Sequence, residues 1–394
     1  MPEGRSERRS ATVRYALPAF AYFYTVGSVG FWIPLYLRGL GWSYTLVTWA
    51  ATAYFAALTP STLISGALAD VLGRPNLLVC TGLTLNSLAV EAIVALHGSP
   101  PLVLTARLAQ GLGLAAALPV ALGSLSLSRG VRAGVSLTAL ASAVGMATGS
   151  LLGGAFAAGP GIEWVFHSAA LVSVAAALAA CGSRYPAPPS RPGGLREAVG
   201  LVPPDVWVAA AALVVRNLFA SGVFSIMPVL FHNVLGAGLL ATALALAANP
   251  VVQTLAIPAA SRAVRGRELP LYSLGLAGTG LVFHLYLTVG SSAGLIAAQA
   301  LLGAVYALVV VSGNNYILSR TPEEIRYTAS SIYTLSFNLG WILGTLTAGP
   351  IMDAFGPKAW VSLARLGCLA SGALALAAGP LQRRALEHDR EAGV

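Results

Sequence analysis

Long apolar runs, each of about twenty residues, alternate along the chain with short breaks that contain glycine, proline or arginine. A helix needs about twenty apolar residues to cross the roughly 30 Å hydrocarbon core of a bilayer. The breaks therefore predict an all-α polytopic membrane protein with twelve transmembrane helices. The predicted segments are 14–38, 44–68, 75–96, 100–127, 133–158, 161–182, 205–232, 238–260, 269–289, 292–318, 327–350 and 358–380.

The second six segments repeat the pattern of the first six. Pro34 in segment one recurs 194 residues later as Pro228 in segment seven. The glycines of segment five recur in segment eleven: Gly145, Gly149 and Gly154 are matched by Gly340, Gly344 and Gly349. We therefore expect a six-helix bundle over 1–182, a proline-rich cytoplasmic linker over 183–204, and a six-helix bundle with a short tail over 205–394.

Charge is scarce, and its position fixes the expected orientation. Charged residues make up 9% of the 394 positions, whereas a water-soluble protein has about a quarter. Eighteen of the 23 basic residues fall on one side of the predicted helices and two on the other. The excess predicts that both termini lie in the cytoplasm, with the protein in the cytoplasmic (inner) membrane of a prokaryote. The net charge of +9 is not a nucleic-acid footprint, because the arginines are spread over short loops.

Three motifs carry a resemblance to a known family. They are Gly66-x-Leu68-x-Asp70-x-x-Gly73-Arg74 between segments two and three, Arg107-x-x-Gln110-Gly111-x-Gly113 in segment four, and the glycine-rich 145–154 in segment five. Together they resemble the motifs of the major facilitator superfamily (MFS). The resemblance implies a monomeric secondary transporter that works by alternating access around a central site. Ser150 stands where the family's antiporter motif has proline, which weakens an antiporter assignment.

The same resemblance gives roles to the loop and to the glycines. Gly66, Asp70, Gly73 and Arg74 would form a gate, in which a charge pair holds only while the two halves touch; the alternative is a simple anchored turn. Segments five and eleven are expected to pack closely at the interface of the two halves through their glycines, which are Gly145, Gly149, Gly153, Gly154, Gly340 and Gly344.

Ionisable residues inside the segments are candidate functional groups, because each costs about 2.5–3.5 kcal/mol to insert. Glu91 and Arg107 lie at similar depth on either side of one turn, so we expect that they can pair, as a structural tie or as a protonation switch for proton coupling. Arg216 matches Tyr22 in the repeat and is a candidate substrate contact or structural pair. Arg365, in the last segment, is interpreted as structural. His167 and His284 are predicted to form hydrogen bonds between helices.

The candidate substrate-binding side chains are Arg216, Arg107, Tyr22, Asn217, Asn249, Gln253, Asn314 and Asn338. Arginines without matching carboxylates favour a small organic anion, such as a carboxylate or an organic phosphate. Export of drugs or other hydrophobic compounds is the alternative within the family. A non-transporting receptor on the same fold is the alternative of another class.

Neither cofactor nor metal chemistry is indicated. The sequence contains no spaced metal ligands and no nucleophile–base pattern, so we expect no metal, no cofactor and no enzyme activity. Cys80, Cys181 and Cys368 are odd in number and are predicted to be buried packing residues without a disulfide. The expected partners are the lipid bilayer, a small-molecule substrate and, if transport is coupled, protons.

Overall fold

The computed structural model describes residues 3–72, 74–129, 131–185, 202–321 and 326–381, and within these ranges the regular elements are helices. We number the helices by the predicted segments they fill. The first segments give α1 (Glu3–Thr25 and Phe31–Gly39, joined by a π turn over Val26–Gly30), α2 (Tyr44–Leu72), α3 (Pro75–Ala95), α4 (Pro100–Leu114 and Ala117–Arg129), α5 (Val131–Ala158) and α6 (Glu163–Cys181). The remaining segments give α7 (Pro204–Phe224, Met227–Val229 and a π turn over Leu230–Val234), α8 (Leu239–Ala263), α9 (Glu268–Thr288), α10 (Ser292–Arg320), α11 (Arg326–Phe355) and α12 (Pro357–Leu376).

These helices are long enough to span a bilayer. Ten of them contain described stretches that are sufficiently long and apolar to cross a membrane. The other two, α2 and α11, contain 29 and 30 residues. At 1.5 Å per residue each exceeds 40 Å by a small margin, roughly the full thickness of a bilayer with its headgroups. The helices correspond one to one with the twelve predicted segments.

The repeated prolines interrupt their helices in the same way. A proline removes one backbone donor, and its ring clashes with the carbonyl four residues earlier. Four residues before Pro34, the π turn of α1 ends at Gly30. Four residues before Pro228, the first piece of α7 ends at Phe224. The two breaks therefore have one cause, which the sequence already contained.

Contacts group the chain into two compact units. The first unit comprises Met1–Arg191 and Ser225–Val251, and the second comprises Pro192–Phe224 and Val252–Val394. Most of each unit comes from one half of the chain, but the end of α7 and the start of α8 belong to the first unit. The predicted linker, 183–204, consists mostly of residues 186–201, which lie outside the described ranges. The predicted bundle boundaries at 182 and 205 therefore stay a prediction.

Glycines set the distance between the helices that are packed most closely in each unit. In the first unit, a Cβ at Gly145 or Gly149 of α5 would overlap the carbonyl oxygens of Phe20 or Tyr24 in α1. In the second unit, a Cβ on α11 at Gly340 would lie 2.6 Å from the Val214 carbonyl oxygen of α7. Only hydrogen fits at these positions, so α5–α1 and α11–α7 are equivalent backbone contacts.

Gly153 and Gly154 also lie in close contacts. A Cβ at Gly153 would overlap the Trp32 indole, and one at Gly154 would overlap the Ala243 methyl group of α8, within the first unit. Gly344 of α11 packs against the Leu218 carbonyl of α7 in the same way.

Candidate functional site

Arg107 of α4 is buried in the first unit, with 3% of the residue exposed. Its Nε donates to the Ala50 carbonyl oxygen at 3.1 Å, and its Nη1 donates to the Gln110 side-chain oxygen. The guanidinium carbon lies 4.7 Å from the centroid of the Tyr54 ring, within cation–π distance. The guanidinium is therefore held on three sides by groups of α2 and of its own helix.

Glycines of the same motif bring α4 against its neighbours. A Cβ at Gly111 would overlap the Tyr54 carbonyl oxygen of α2, and one at Gly113 would lie 2.6 Å from the Gly82 carbonyl oxygen of α3. This close approach places Arg107 within reach of α2. The Tyr54 hydroxyl in turn lies beside the hydroxyl of Tyr22 in α1. Arg107 and Tyr22 thus belong to one cluster, joined by Tyr54.

Arg216 of α7 is completely buried in the second unit. Its Nη1 donates to the Asn217 side-chain oxygen at 2.7 Å, whereas Nε and Nη2 share the Thr279 hydroxyl of α9 at 3.4 and 3.3 Å. Its guanidinium carbon is 5.0 Å from the Tyr306 ring centroid and 5.4 Å from that of Phe224. Arg216 therefore has one strong hydrogen bond, two long ones and two aromatic faces.

Neither of these buried cations has a carboxylate partner among the described residues. The described carboxylates of Glu91 and Asp205 pair instead with His167 and Arg320. An isolated buried charge is costly unless it is paired or hydrogen-bonded. Both arginines are thus sites at which an anion would be stabilised.

The other predicted polar residues divide between the two units. Asn217 accepts from Arg216 and donates to the Phe337 carbonyl oxygen of α11 at 3.3 Å. Asn314 donates to the Val310 carbonyl of its own helix. Asn249 and Gln253, one turn apart on α8, are partly exposed, as is Asn338 of α11. By the division into units, Asn249 groups with Tyr22 and Arg107, whereas Gln253, Asn314 and Asn338 group with Arg216.

The predicted gate falls largely outside the described residues. Residue 73 is not described, and neither is the environment of Gly66 or Asp70. Arg74 is exposed and stands immediately before α3, where its carbonyl accepts from the Leu77 amide. The gating role stays a prediction.

The predicted Glu91–Arg107 pair is wrong. The Glu91 carboxylate of α3 instead contacts Nδ1 of His167 in α6 at 2.9 Å. The common turn gives Glu91 and Arg107 similar depth but does not set which way each side chain points. Glu91 points towards α6, and Arg107 points towards α2. The prediction that His167 forms a hydrogen bond between helices is confirmed.

Corresponding helices of the second unit carry a different polar pair. Nη1 of Arg365 in α12 lies 3.2 Å from Nδ1 of His284 in α9. A guanidinium can only donate, so Arg365 is the donor in this contact. His167 thus has a carboxylate as its neighbour, whereas His284 has a guanidinium. The two units place groups of opposite charge beside these two histidines.

A second arginine tie also recurs in both units, and the sequence analysis did not identify it. At the end where α1 begins, Nε of Arg129 donates to the Thr12 hydroxyl at 2.9 Å. At the end where α7 begins, Nε of Arg320 donates to Asp205 Oδ2 at 3.0 Å, and the Tyr316 hydroxyl donates to the same oxygen at 2.8 Å. Each tie joins the start of a unit's first helix to the end of its fourth. The matching separations, 117 and 115 residues, were the available signal.

The cysteine prediction is also wrong. Cys80 of α3 and Cys181 of α6 form a disulfide, with their Cα atoms 5.4 Å apart. Three cysteines allow one pair and one free thiol, and the count alone could not place partners 101 residues apart. The packing of α3 against α6 provides the required approach. Cys368 is buried and free, as expected for a packing residue.

The sequence profile of the Major Facilitator Superfamily matches residues 16–345 and 243–392. The chain belongs to the major facilitator superfamily. No curated protein matches its sequence.

Solved MFS transporters share the fold over nearly their whole length. The nucleoside transporter NupG superposes with a TM-score of 0.79 at 12% identity, covering 95% of this chain and 99% of that one. A bacterial homologue of the human lysosomal transporter Spinster, in an inward-facing and occupied conformation, gives 0.72 at 14% identity, covering 98% and 97%. The peptide transporter POT, in complex with sulfate, gives 0.73 at 15% identity, covering 95% and 94%. At these identities the likeness shows the fold alone.

Family membership makes this MFS chain a secondary transporter rather than an enzyme. It is a multi-pass membrane protein, consistent with its apolar helices. Among the described residues no three His, Cys, Asp or Glu side chains are grouped as a metal site.

Proposed function

We propose that this MFS protein is a secondary transporter of a small organic anion that works by alternating access. The observation that carries the proposal is Arg216, a completely buried guanidinium whose partners are a hydroxyl, an amide oxygen and two rings. Such a cation is stabilised by an anionic ligand far more than by a neutral or cationic one. Carboxylates and organic phosphates supply this charge and can accept two parallel hydrogen bonds.

Arg107 is the weaker candidate for the substrate contact. Its Nε and Nη1 already donate to good acceptors within the first unit. We assign it the role of fixing α4 against α2, with the Tyr54 and Tyr22 hydroxyls beside it as polar contacts for substrate. Asn217, Gln253, Asn314 and Asn338 are the proposed polar contacts on the side of Arg216, and Asn249 is proposed on the side of Arg107.

The proposed orientation follows the distribution of arginines. Both termini lie in the cytoplasm of a prokaryote, with the protein in the inner membrane as a monomer. Gly66, Asp70, Gly73 and Arg74 then belong to a cytoplasmic gate that closes when the two halves meet. The glycine contacts would let α5 move together with α1, and α11 together with α7.

The proton-coupling part of the proposal rests on Glu91 and His167. Their 2.9 Å contact joins two half-exposed side chains, with 43% and 41% exposed respectively. A proton bound there changes the charge of the pair, and with it the strength of the tie between α3 and α6. Glu91→Gln removes the ionisable carboxylate but keeps a hydrogen-bonding group. Transport whose pH dependence is unchanged in this variant would reduce the pair to a structural tie.

The first test of substrate class is a thermal-shift screen of the purified protein in detergent. The panel contains carboxylates, organic phosphates, lipophilic cations and neutral drugs at two pH values. A ligand that binds the folded state raises its apparent melting temperature. We expect stabilisation by anions in the wild type and its loss in Arg216→Ala.

Arg365→Ala is the matched control, because it also removes an arginine from a spanning helix of the second unit. It should retain the anion response. Stabilisation by hydrophobic drugs or cations that survives Arg216→Ala would contradict the proposal. That outcome would instead support export of hydrophobic compounds, the other function considered for this family member.

A further inference from the structure

Three aromatic side chains form a continuous row beside Arg216 in the second unit. Phe224 of α7 stacks on Trp341 of α11, with ring centroids 5.8 Å apart and planes at 26°. Trp341 also lies 6.2 Å from Phe337 of the same helix, at 33°. We call Phe224, Trp341 and Phe337 the aromatic row. Two helices from opposite ends of the unit's sequence contribute to it, so it depends on the fold rather than on a local run.

The row begins at the guanidinium. The Arg216 carbon lies 5.4 Å from the Phe224 ring centroid, so cation and ring row are continuous. Tyr306 covers the guanidinium from another side at 5.0 Å. Both distances are at the long end of the cation–π range, which extends to about 6 Å.

Exposure divides the surroundings of Arg216 into two groups. Tyr272 and Tyr286, which also lie within electrostatic reach of Arg216, are completely buried. Phe224, Trp341 and Phe337 are only partly buried, and so is Tyr306. The aromatic row and Tyr306 are thus the more accessible side of a cation that is itself buried.

One edge of the guanidinium donates two long hydrogen bonds to a single weak acceptor. Carboxylates bind arginine in pairs of parallel hydrogen bonds to adjacent nitrogens. The Nε and Nη2 atoms of Arg216 form such an edge, and both point at the single Thr279 hydroxyl, at 3.4 and 3.3 Å. That hydroxyl gives its own proton to the Gly275 carbonyl at 3.2 Å. A carboxylate replaces two long bonds to one oxygen with two short bonds to two oxygens.

We propose that the second unit binds an anion that carries an aromatic ring, with its anionic group on Arg216 and its ring stacked on Phe224, Trp341 and Phe337. This inference rests on the proposed function and narrows its substrate class. A ring gains from offset stacking on the row, which a saturated ring of similar size does not. The anionic group supplies the charge that the second unit lacks at Arg216. Binding requires the Tyr306 or Phe224 side chain to rotate, because Arg216 has no exposed surface.

Three matched compounds test the two requirements separately on the full-length protein. Phenylacetate has ring and charge, cyclohexylacetate has charge without an aromatic ring, and phenylacetamide has the ring without charge. Dissociation constants are measured by titration calorimetry in detergent. We expect phenylacetate to bind about tenfold more tightly than cyclohexylacetate, and phenylacetamide to bind at least tenfold more weakly than phenylacetate.

Substitutions in the aromatic row test whether the row causes the preference for an aromatic ring. Trp341→Leu should remove the preference for phenylacetate over cyclohexylacetate while leaving the preference for anion over amide. Trp207→Leu, at an exposed tryptophan of the same unit, is the matched control and should change neither ratio. Phe337→Leu gives a second alteration of the row, so that a misfolded Trp341 variant would not decide the result.

The outcomes separate the two proposals. Equal binding of phenylacetate and cyclohexylacetate, with the amide excluded, would overturn the ring requirement and leave the anion transporter intact. Equal binding of phenylacetate and phenylacetamide would overturn the anion proposal itself. Failure of all three compounds to bind at millimolar concentration would overturn the ring-bearing anion, while the broader anion panel would still test the proposed function.

Discussion

Arg107 and Arg216 are both buried guanidinium groups that have no carboxylate partner within the described ranges, but they differ in how far their donors are satisfied. Arg107 gives one hydrogen bond to a backbone carbonyl and one to an amide oxygen, and it stands over a ring at 4.7 Å. Arg216 gives one short bond and shares a single hydroxyl between two nitrogens, beside rings at 5.0 and 5.4 Å. The satisfied arginine is suited to holding helices together. The other is suited to binding a ligand.

The repeat makes this difference more informative. Arg216 lies on the first helix of its unit, at the position that Tyr22 occupies in the other unit, 194 residues earlier. In the first unit the cation is on the fourth helix, α4, and a tyrosine is on the first. In the second unit the cation is on the first helix, α7, and Tyr306 is on the fourth, α10. Two similar folds thus place the charge on opposite members of one helix pair.

The largest expected effect is on transport by Arg216 variants. Hydrogen bonds to charged groups contribute about 1.5–3 kcal/mol, so Arg216→Gln should reduce anion uptake about 10- to 150-fold. Arg216→Lys keeps the charge but loses the paired donors, and should recover only part of the activity. Initial uptake rates in proteoliposomes measure both. Arg365→Gln should transport at near wild-type rates. An equal loss of uptake in Arg365→Gln would contradict a specific contact between Arg216 and the anion.

The disulfide gives the next largest difference between the units. Cys80 and Cys181 join α3 to α6, and the positions 194 and 195 residues later hold Leu274 and Leu376. Cys80→Ser should lower the free energy of unfolding by about 2 kcal/mol, because the crosslink no longer restricts the unfolded chain. Thermal unfolding with and without a reductant measures the effect. A double Cys80→Ser, Cys181→Ser variant that still responds to reductant would contradict the assignment.

The two arginine ties at the ends of the units should differ in strength. Asp205 is 1% exposed and pairs with Arg320, whereas Arg129 bonds a threonine hydroxyl. Asp205→Asn leaves Arg320 without its counter-charge, although Arg320 can still reach water, so we expect a loss of about 1–2 kcal/mol. Thr12→Ala should cost less than about 1 kcal/mol. Chemical unfolding of both variants would show whether this order holds or is reversed.

The smallest expected effect distinguishes the Glu91–His167 pair from the Arg365–His284 pair. Glu91→Gln removes the ionisable carboxylate of the first pair, so under the proposed proton coupling the pH dependence of uptake should flatten by a few-fold. His284→Gln is the matched control in the second unit, where the neighbour is Arg365. It should leave the pH profile in place. A profile that changes equally in both variants would argue against a specific role for Glu91.

The sequence predicted the helices well because their determinants are local. Apolar length sets a spanning helix, and the prolines at 34 and 228 each follow a helix break by four residues. The glycines of segments five and eleven predicted close helix packing there, but not the partners, which are α1 for α5 and α7 for α11. Family motifs extended this to the whole chain.

Side-chain pairing was beyond the reach of the same reasoning. Glu91 was matched to Arg107 by depth, but depth leaves the direction around the helix axis open, and the packing of α3 against α6 selects His167 instead. The Cys80–Cys181 disulfide and the Asp205–Arg320 pair join residues more than a hundred positions apart. Each depends on which helices become neighbours, and local patterns of apolar length, proline and glycine do not specify that.

One measurement tests the contrast between the two arginines most directly. The anion that stabilises the wild type most strongly in the thermal-shift panel would be titrated into the wild type, Arg216→Gln and Arg107→Gln. The account predicts a dissociation constant raised about 10- to 150-fold in Arg216→Gln and changed no more than a few-fold in Arg107→Gln, which should instead lose thermal stability. A larger loss of affinity in Arg107→Gln, or unchanged affinity in Arg216→Gln, would contradict it.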